Sequence, residues 1–165
     1  MNLKTINNNF YINLTIILLI FILDRLTKLY VIYLDKINSG SEIFSSKFLN
    51  IYIIWNEGIA FGLFSFDDKK IYNSLTILIL IIVVFIIVWS FKSKGIQKYG
   101  LSMIIGGAIG NLYDRLFYRA VPDFIDLHIN NFHWFIFNIA DIFITIGVFL
   151  MILSEFIVKD ANENN

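Results

Sequence analysis

Long apolar segments alternate with polar connections along the chain. Four segments, residues 10–34, 71–91, 99–117 and 137–158, are predominantly apolar. Each is long enough to cross the hydrocarbon core of a bilayer, which is about 30 Å thick and needs roughly 20 apolar residues in a helix. The pattern predicts a mainly α-helical integral membrane protein with four transmembrane helices.

The connections after the first and third apolar segments have the composition of β structure. Residues 48–55 lie in the long first loop and are rich in β-branched and aromatic side chains, which predicts a small extramembrane β element there. Residues 124–128 and 132–135 flank Asn130 and Asn131, which predicts a short strand pair around a turn.

The connection after the second apolar segment sets the predicted orientation. It contains Lys92, Lys94 and Lys98 and no acidic residue, and such loops remain in the cytoplasm. Four crossings then place both termini in the cytoplasm and the other two loops outside it. The polar residues 1–9 are expected to form a short disordered tail.

Composition narrows the possible chemistry. The 165 residues are 58% hydrophobic and carry a formal net charge of zero, which suits one polytopic domain over 1–165 and implies no affinity for nucleic acid. Cysteine is absent, so disulfides and thiol chemistry are excluded. His128 and His133 cannot complete a three-histidine zinc site, and we expect neither metal nor cofactor.

Three aspartates lie beside sequences apolar enough to enter a bilayer: Asp114, Asp123 and Asp141. An ionised side chain at such a depth costs roughly 2.5–3.5 kcal/mol, so its presence usually serves a function. Two carboxylates held close together share a proton, and one can act as general base on water while the other is a general acid. Spacing alone leaves open which aspartates form the pair. Serine–lysine catalysis is disfavoured because Lys28 has Asp24 as an obvious partner.

Two polar features have open interpretations. Asp24 and Lys28 share one helical face at i and i+4, and they form either an interfacial ion pair or a support for the active site. Asn56 and Gly58 belong to a turn that permits close backbone approach to a ligand, although a plain turn explains the same composition.

The third and fourth segments each carry polar residues on one face. Gly106 and Gly110 have the spacing that lets helices approach closely, and Asp114 continues that face. The adjacent stripe of the third segment is formed by Gly107, Asn111 and Arg115. One face of the fourth segment is formed by Asn138, Asp141 and Thr145.

Five stretches in this order resemble the bacterial signal peptidase II family, the lipoprotein signal peptidases. They are residues 24–28, 56–61, 106–115, 121–126 and 137–141, and together they extend over nearly the whole chain. The resemblance implies a membrane-embedded aspartic endopeptidase of the inner membrane. Its substrates would be prolipoproteins carrying diacylglyceryl on a cysteine, with cleavage just before that cysteine. Membrane lipid is the only other partner implied, and nothing requires more than a monomer.

The resemblance also implies roles for particular residues. Asp123 and Asp141 match the catalytic pair. The positions that match residues shaping the site or contacting substrate are Asp24, Lys28, Asn56, Gly58, Asn111, Asp114, Arg115, Asn138 and Ala140. Pro122 and Ile142 depart from the usual pattern, which has an aliphatic residue and a serine. Pro122 should hold Val121 in an extended conformation, and Ile142 removes one possible hydrogen bond near Asp141.

Other classes explain the sequence less well. A transporter would carry polar residues near the middle of several spans, whereas the second segment here has none of note. A scaffold protein would explain the glycine spacing but not three aspartates at one surface. In a peptidase whose substrate enters from the lipid, exposed aromatic residues would clamp it at the interface, and the candidates are Trp55, Phe61, Phe64 and Trp134.

Overall fold

A computed structural model describes residues 3–58 and 69–163, with side chains for 10–58 and 70–156. Within these residues it contains four helices and four strands. The helices are α1 (Leu3–Ile37), α2 (Lys69–Lys92), α3 (Gly95–Phe117) and α4 (Ile139–Glu163); the strands are β1 (Phe44–Ser45), β2 (Leu49–Asn56), β3 (Val121–Ile129) and β4 (Phe132–Phe137). Helix α3 packs against the other three helices and therefore forms the centre of the helical part.

Each of the four apolar segments lies in a helix, as the pattern predicts. The prediction of a disordered tail is wrong for residues 3–9, which form the start of α1. These residues contain neither glycine nor proline, so nothing interrupts the helix. Extending an existing helix is favourable because each added residue gains one hydrogen bond, whereas starting a new helix is costly. Helix α4 begins two residues later than predicted because Phe137 belongs to β4.

Among the described residues, two helical segments are long and apolar enough to cross a membrane by length and composition: Lys70–Lys92 and Ile139–Phe156. Helix α1 carries Asp24, Arg25 and Lys28 within its apolar run. Helix α3 carries five glycines and, besides Lys98, two charged residues. These residues lower the mean hydropathy of both helices.

The strands form one antiparallel sheet in the order β1-β2-β3-β4 among the described residues. The two loop elements that the sequence predicts separately are therefore joined, because β2 pairs with β3 from Leu49 opposite Leu127 to Asn56 opposite Val121. Pairing satisfies backbone groups that each strand alone would leave open. The predicted turn between β3 and β4 is confirmed, and Asn130 there has a φ of +53°.

Glycines on two faces of α3 allow two neighbouring helices to approach closely. A Cβ atom placed on Gly110 would lie 2.5 Å from the Asp24 carboxylate of α1. On the adjacent face, a Cβ on Gly107 would lie 2.5 Å from the carbonyl oxygen of Ala140 in α4. The close packing predicted from the glycine spacing is confirmed, and it brings the polar residues of three helices together.

We expect Gly107→Ala to destabilise the protein by about 1–3 kcal/mol, because the new methyl group meets the backbone of α4 and cannot be accommodated by a side-chain rotation. Helix propensity alone predicts the opposite sign, since alanine is favoured over glycine by about 1 kcal/mol within a helix. The melting temperature in detergent distinguishes the two. A higher melting temperature for the variant would show that α3 and α4 are less tightly packed than the structure indicates.

Candidate active site

Asp123 is held by two asparagines from different elements. It lies in β3 and is only 3% exposed. The side-chain amide of Asn56, at the end of β2, donates a hydrogen bond to Oδ2 of Asp123 over 2.9 Å. The amide of Asn138 donates to Oδ1 over 2.6 Å. Because both carboxylate oxygens accept a bond, the orientation of the Asp123 side chain is fixed.

Asp141 is fixed by the beginning of α4. Asn138 is the N-cap of this helix: its Oδ1 accepts the backbone N–H of Asp141 over 3.2 Å, and its own backbone N–H donates to Oδ2 of Asp141 over 3.1 Å. The amide of Asn111, from α3, donates to Oδ1 of Asp141 over 2.8 Å. Asn138 thus contacts both aspartates, which places the two carboxyl groups on either side of one residue.

Burial changes the acidity of Asp123. Removal from water raises the pKa of the Asp123 carboxyl from its ordinary value of 3.8 to about 6, and the negative charge of Asp141 acts in the same direction. The hydrogen bonds from Asn56 and Asn138 oppose the increase in pKa without cancelling it. Near neutral pH this carboxyl can therefore both hold and release a proton, as general acid–base chemistry on water requires.

This increase in pKa predicts how stability depends on pH. A carboxyl with a higher pKa in the folded protein binds protons more tightly there than in the unfolded chain. Its contribution to the free energy of unfolding is therefore present at low pH and is lost as the pH rises from about 4 to about 7. The change of about two units corresponds to about 3 kcal/mol. We expect Asp123→Asn to gain stability relative to wild type over this interval, measured as the difference in melting temperature. A difference that does not change with pH would contradict the raised pKa.

Four charged side chains form a buried cluster between α1 and α3. Lys28 Nζ lies 2.9 Å from Asp24 Oδ1 and 2.7 Å from Asp114 Oδ2. Arg25 lies 2.7 Å from Asp24 Oδ2 and 2.5 Å from Asp114 Oδ1. Both aspartates are fully buried and Lys28 is 1% exposed. Two positive and two negative charges compensate one another, which is the condition for keeping charges away from water.

The charged cluster is connected to Asp141 through Asn111 of α3, and it contacts the first turn of α4 directly. Lys28 Nζ donates to Oδ1 of Asn111 over 2.8 Å, which orients the Asn111 amide so that its nitrogen donates to Asp141. Asp24 Oδ1 accepts the backbone N–H of Ala140 over 3.1 Å. Of the two interpretations of Asp24 and Lys28, a support for the site therefore agrees better with these contacts than an isolated interfacial pair.

The end of β2 is closed by a turn that Asn56 also organises. Oδ1 of Asn56 accepts the backbone N–H of Gly58 over 2.9 Å, while the carbonyl of Gly58 accepts a hydrogen bond from Arg115. An Asp114–Arg115 ion pair is not formed among the described residues, since Asp114 pairs with Arg25 and Lys28. Asn56 therefore connects the first loop to Asp123 and, through Gly58, to α3.

The structure brings the predicted site residues into one continuous set of contacts. Sequence reasoning missed Arg25, although its position beside Asp24 within an apolar segment was a usable signal. Asp123 and Asp126 do not lie in a solvated loop, since both are buried in β3. Thr145 is exposed and donates to the Asp141 carbonyl, away from the carboxyl groups. Phe61 and Phe64 lie outside the described residues.

An apolar groove of about 400 Å³ reaches Asp141 from the side of the molecule. Its walls come from β3, β4 and α4, and they include Leu127, Trp134, Phe135, Phe137, Ile142 and Ile146. Ile142, which stands where a serine is usual, contributes apolar surface here. A groove of this composition suits an aliphatic or aromatic chain next to the carboxyl groups.

Comparisons with known proteins agree with this arrangement. A profile of the signal peptidase (SPase) II family matches residues 16–157. The chain is 57% identical to the lipoprotein signal peptidase of Pelagibacter ubique (strain HTCC1062), over 95% of this chain and 96% of that protein. It is 38% identical to the lipoprotein signal peptidase of Aquifex aeolicus (strain VF5), over 93% and 91%. A solved bacterial membrane enzyme superposes with a TM-score of 0.69 at 32% identity, over 93% of this chain and 91% of that one.

These findings define the class as a membrane peptidase of the aspartic type. More narrowly, the chain belongs to the signal peptidase II family. The family resemblance seen in the sequence is confirmed, and so is a mainly helical enzyme with a small antiparallel sheet.

Proposed function

We propose that this protein removes the signal peptide from diacylglyceryl-modified prolipoproteins by cutting on the N-terminal side of the lipidated cysteine, and that Asp123 and Asp141 are its catalytic pair. The observation that carries the proposal is the position of Asn138, which donates a hydrogen bond to each of the two aspartates. The names of the relatives, lipoprotein signal peptidases, support the substrate class.

The proposed reaction uses one shared proton. The ionised carboxylate accepts a proton from a water molecule while the water oxygen bonds to the scissile carbonyl carbon. At the same time the protonated carboxyl donates its proton to the carbonyl oxygen. In the second step a proton passes to the leaving nitrogen and the C–N bond breaks, which leaves a carboxyl product, a free amine and one proton on the pair. Asn111 and Asn138 keep both carboxyl groups oriented throughout.

We place the protein across the inner membrane with four spans, both termini in the cytoplasm and the catalytic pair near the outer surface. Lys92, Lys94 and Lys98 support a cytoplasmic connection between α2 and α3. Large apolar side chains 61–68% exposed occur on every helix, for example Leu19, Phe85, Phe117 and Phe149. Lipid contact explains this exposure.

The groove beside Asp141 suits the apolar part of a substrate arriving from the membrane, and two tryptophans of the sheet are exposed. Trp134 lines the groove and is 53% exposed, and Trp55, beside Asn56, is 44% exposed. These are the members of the proposed aromatic clamp that the described residues include.

We expect Trp134→Ala to raise KM for the lipidated substrate by about tenfold with little change in kcat, because the contact stabilises the bound substrate and the transition state equally. Trp55→Ala should act in the same direction. Trp89→Ala, at the distant end of α2, is the matched control for loss of an exposed tryptophan. Steady-state cleavage in detergent measures both constants. Unchanged KM for both Trp55→Ala and Trp134→Ala would rule out the clamp.

The experiment that tests the function compares three substrates with purified protein in detergent. They are a diacylglyceryl-modified prolipoprotein, the same protein without lipid, and a form with the cysteine replaced by serine. Mass spectrometry of the products should show cleavage immediately before the cysteine in the first substrate only. Equal cleavage of all three would disprove lipid-dependent recognition, and no cleavage of any would disprove the proposed function.

A further inference from the structure

Three potential metal ligands share one face of the β3–β4 hairpin. Asp126 and His128 are two residues apart on β3, so their side chains point to the same side of the strand. His133 lies directly opposite His128 on β4. One ligand atom from each side chain lies within 4.8 Å of the others. A segment of only eight residues, 126–133, thus folds into a compact group of two imidazoles and a carboxylate.

The contacts within this group leave nitrogen atoms available to coordinate a metal ion. His133 Nδ1 lies 2.8 Å from Asp126 Oδ2, and the two imidazole rings stack with their centres 5.0 Å apart. Nδ1 of His128 is buried and has no hydrogen-bonding partner among the described residues. A buried polar atom without a partner is costly, and metal coordination would satisfy it.

The surroundings allow an ion to enter and support the carboxylate. The Asp126 side chain is fully buried, whereas that of His133 is half exposed, so the group opens to solvent on one side. Tyr52 and Asn50, from β2, lie 3.4 and 3.5 Å from Asp126 Oδ2 and can donate to it. Hydrogen bonds of this kind to a ligating carboxylate orient it towards a bound ion.

We propose that Asp126, His128 and His133 bind a divalent transition-metal ion such as Zn²⁺. Two imidazoles with one carboxylate form a ligand set that zinc accepts, with water completing a tetrahedron. Zinc–ligand bonds of ~2.1 Å place tetrahedral ligand atoms roughly 3.4 Å apart, which rotation of the imidazoles can achieve from the present spacing. The two histidines cannot form a three-histidine zinc site, but Asp126 supplies a carboxylate as the third ligand.

The proposed site is separate from the catalytic pair. Asp123 and Asp126 are three residues apart on one strand and therefore point to opposite faces of the sheet. A bound ion would join β3, which carries Asp123, to β4, which leads to Asn138. Its role is to hold the hairpin together, and it takes no part in the cleavage reaction.

Zn²⁺ titration of untagged full-length protein tests the proposal. The chain has only two histidines, so a protein without an affinity tag has no other imidazole. After chelator treatment, competition with a chromophoric chelator should show one Zn²⁺ per chain, and Zn²⁺ should raise the melting temperature. We expect His128→Gln and His133→Gln each to weaken binding by at least about tenfold, and Asp126→Asn to do the same.

Glu155→Gln, which removes an exposed carboxylate at the far end of α4, is the matched control and should bind Zn²⁺ as wild type does. Circular dichroism identifies any variant that has not folded, and the half-exposed position of His133 makes His133→Gln the variant least dependent on that check. Wild-type protein that binds no Zn²⁺, or binds it as tightly as His133→Gln, would overturn the proposal. The cleavage assay is independent of this result, so the failure of one leaves the other standing.

Discussion

Replacing either Asp123 or Asp141 with asparagine should lower kcat/KM for the lipidated prolipoprotein by about 10³-fold, within the range that general acid–base groups contribute. Asparagine has nearly the shape of aspartate, and its oxygen can keep one of the two hydrogen bonds that each carboxylate accepts. It cannot accept a proton from water or donate one to the carbonyl as a carboxyl group does. The two single variants and the double variant should show similar residual rates. The two aspartates act as one unit, so removing either one abolishes the contribution of both.

Initial rates of product formation, quantified by mass spectrometry, measure this effect. Asp35→Asn, at the partly exposed end of α1, is the matched control and should cleave at the wild-type rate. Both catalytic variants should remain folded, since asparagine has nearly the shape of aspartate and removes an ionisable group from a site that is largely shielded from water. Folded variants that cleave at the wild-type rate would show that another pair of groups activates water.

The helical part of the fold was predictable because it depends on local patterns. Four apolar segments are visible in the sequence, and the glycine spacing of α3 predicted close packing that Gly106 and Gly110 confirm. The disordered tail was the exception, because polar residues continue a helix that an apolar segment has already started.

The site was less predictable because its contacts join distant parts of the chain. Carboxylates could be recognised as candidates, but the choice of Asp123 and Asp141 depended on family resemblance. Asn56 contacts Asp123 across 67 residues, and Arg25 contacts Asp114 across 89. Such pairings follow from how β2 aligns with β3 and how α1 rotates against α3, which composition does not determine.

One part of the site was local and could have been found. Asn138 and Asp141 have the spacing of a reciprocal cap at the start of an apolar helix, and the structure contains both hydrogen bonds of that cap. The pattern alone would have predicted the backbone conformation around Asp141. It would not have shown that the Asn138 side-chain amide also donates to Asp123, since that contact requires the sheet.

Lys28→Met should destabilise the protein by about 3–5 kcal/mol and also reduce kcat, although Lys28 contacts neither aspartate of the catalytic pair. Without its ammonium group, Asp24 and Asp114 share one guanidinium and leave a net negative charge buried. Oδ1 of Asn111 also loses its donor, so the amide can rotate away from Asp141. Lys28 is therefore a positioning residue, and its loss should lower kcat more than it raises KM.

A second substitution separates the two effects. In Lys28→Met combined with Asp114→Asn the buried cluster is neutral again, so we expect a higher melting temperature than for Lys28→Met alone. The rate of cleavage should stay low, because Asn111 is still without its donor. Lys36→Met, an exposed lysine at the end of α1, controls for the substitution itself and should change neither quantity. If Lys28→Met alone melts and cleaves like wild type, the charged cluster does not support the catalytic pair.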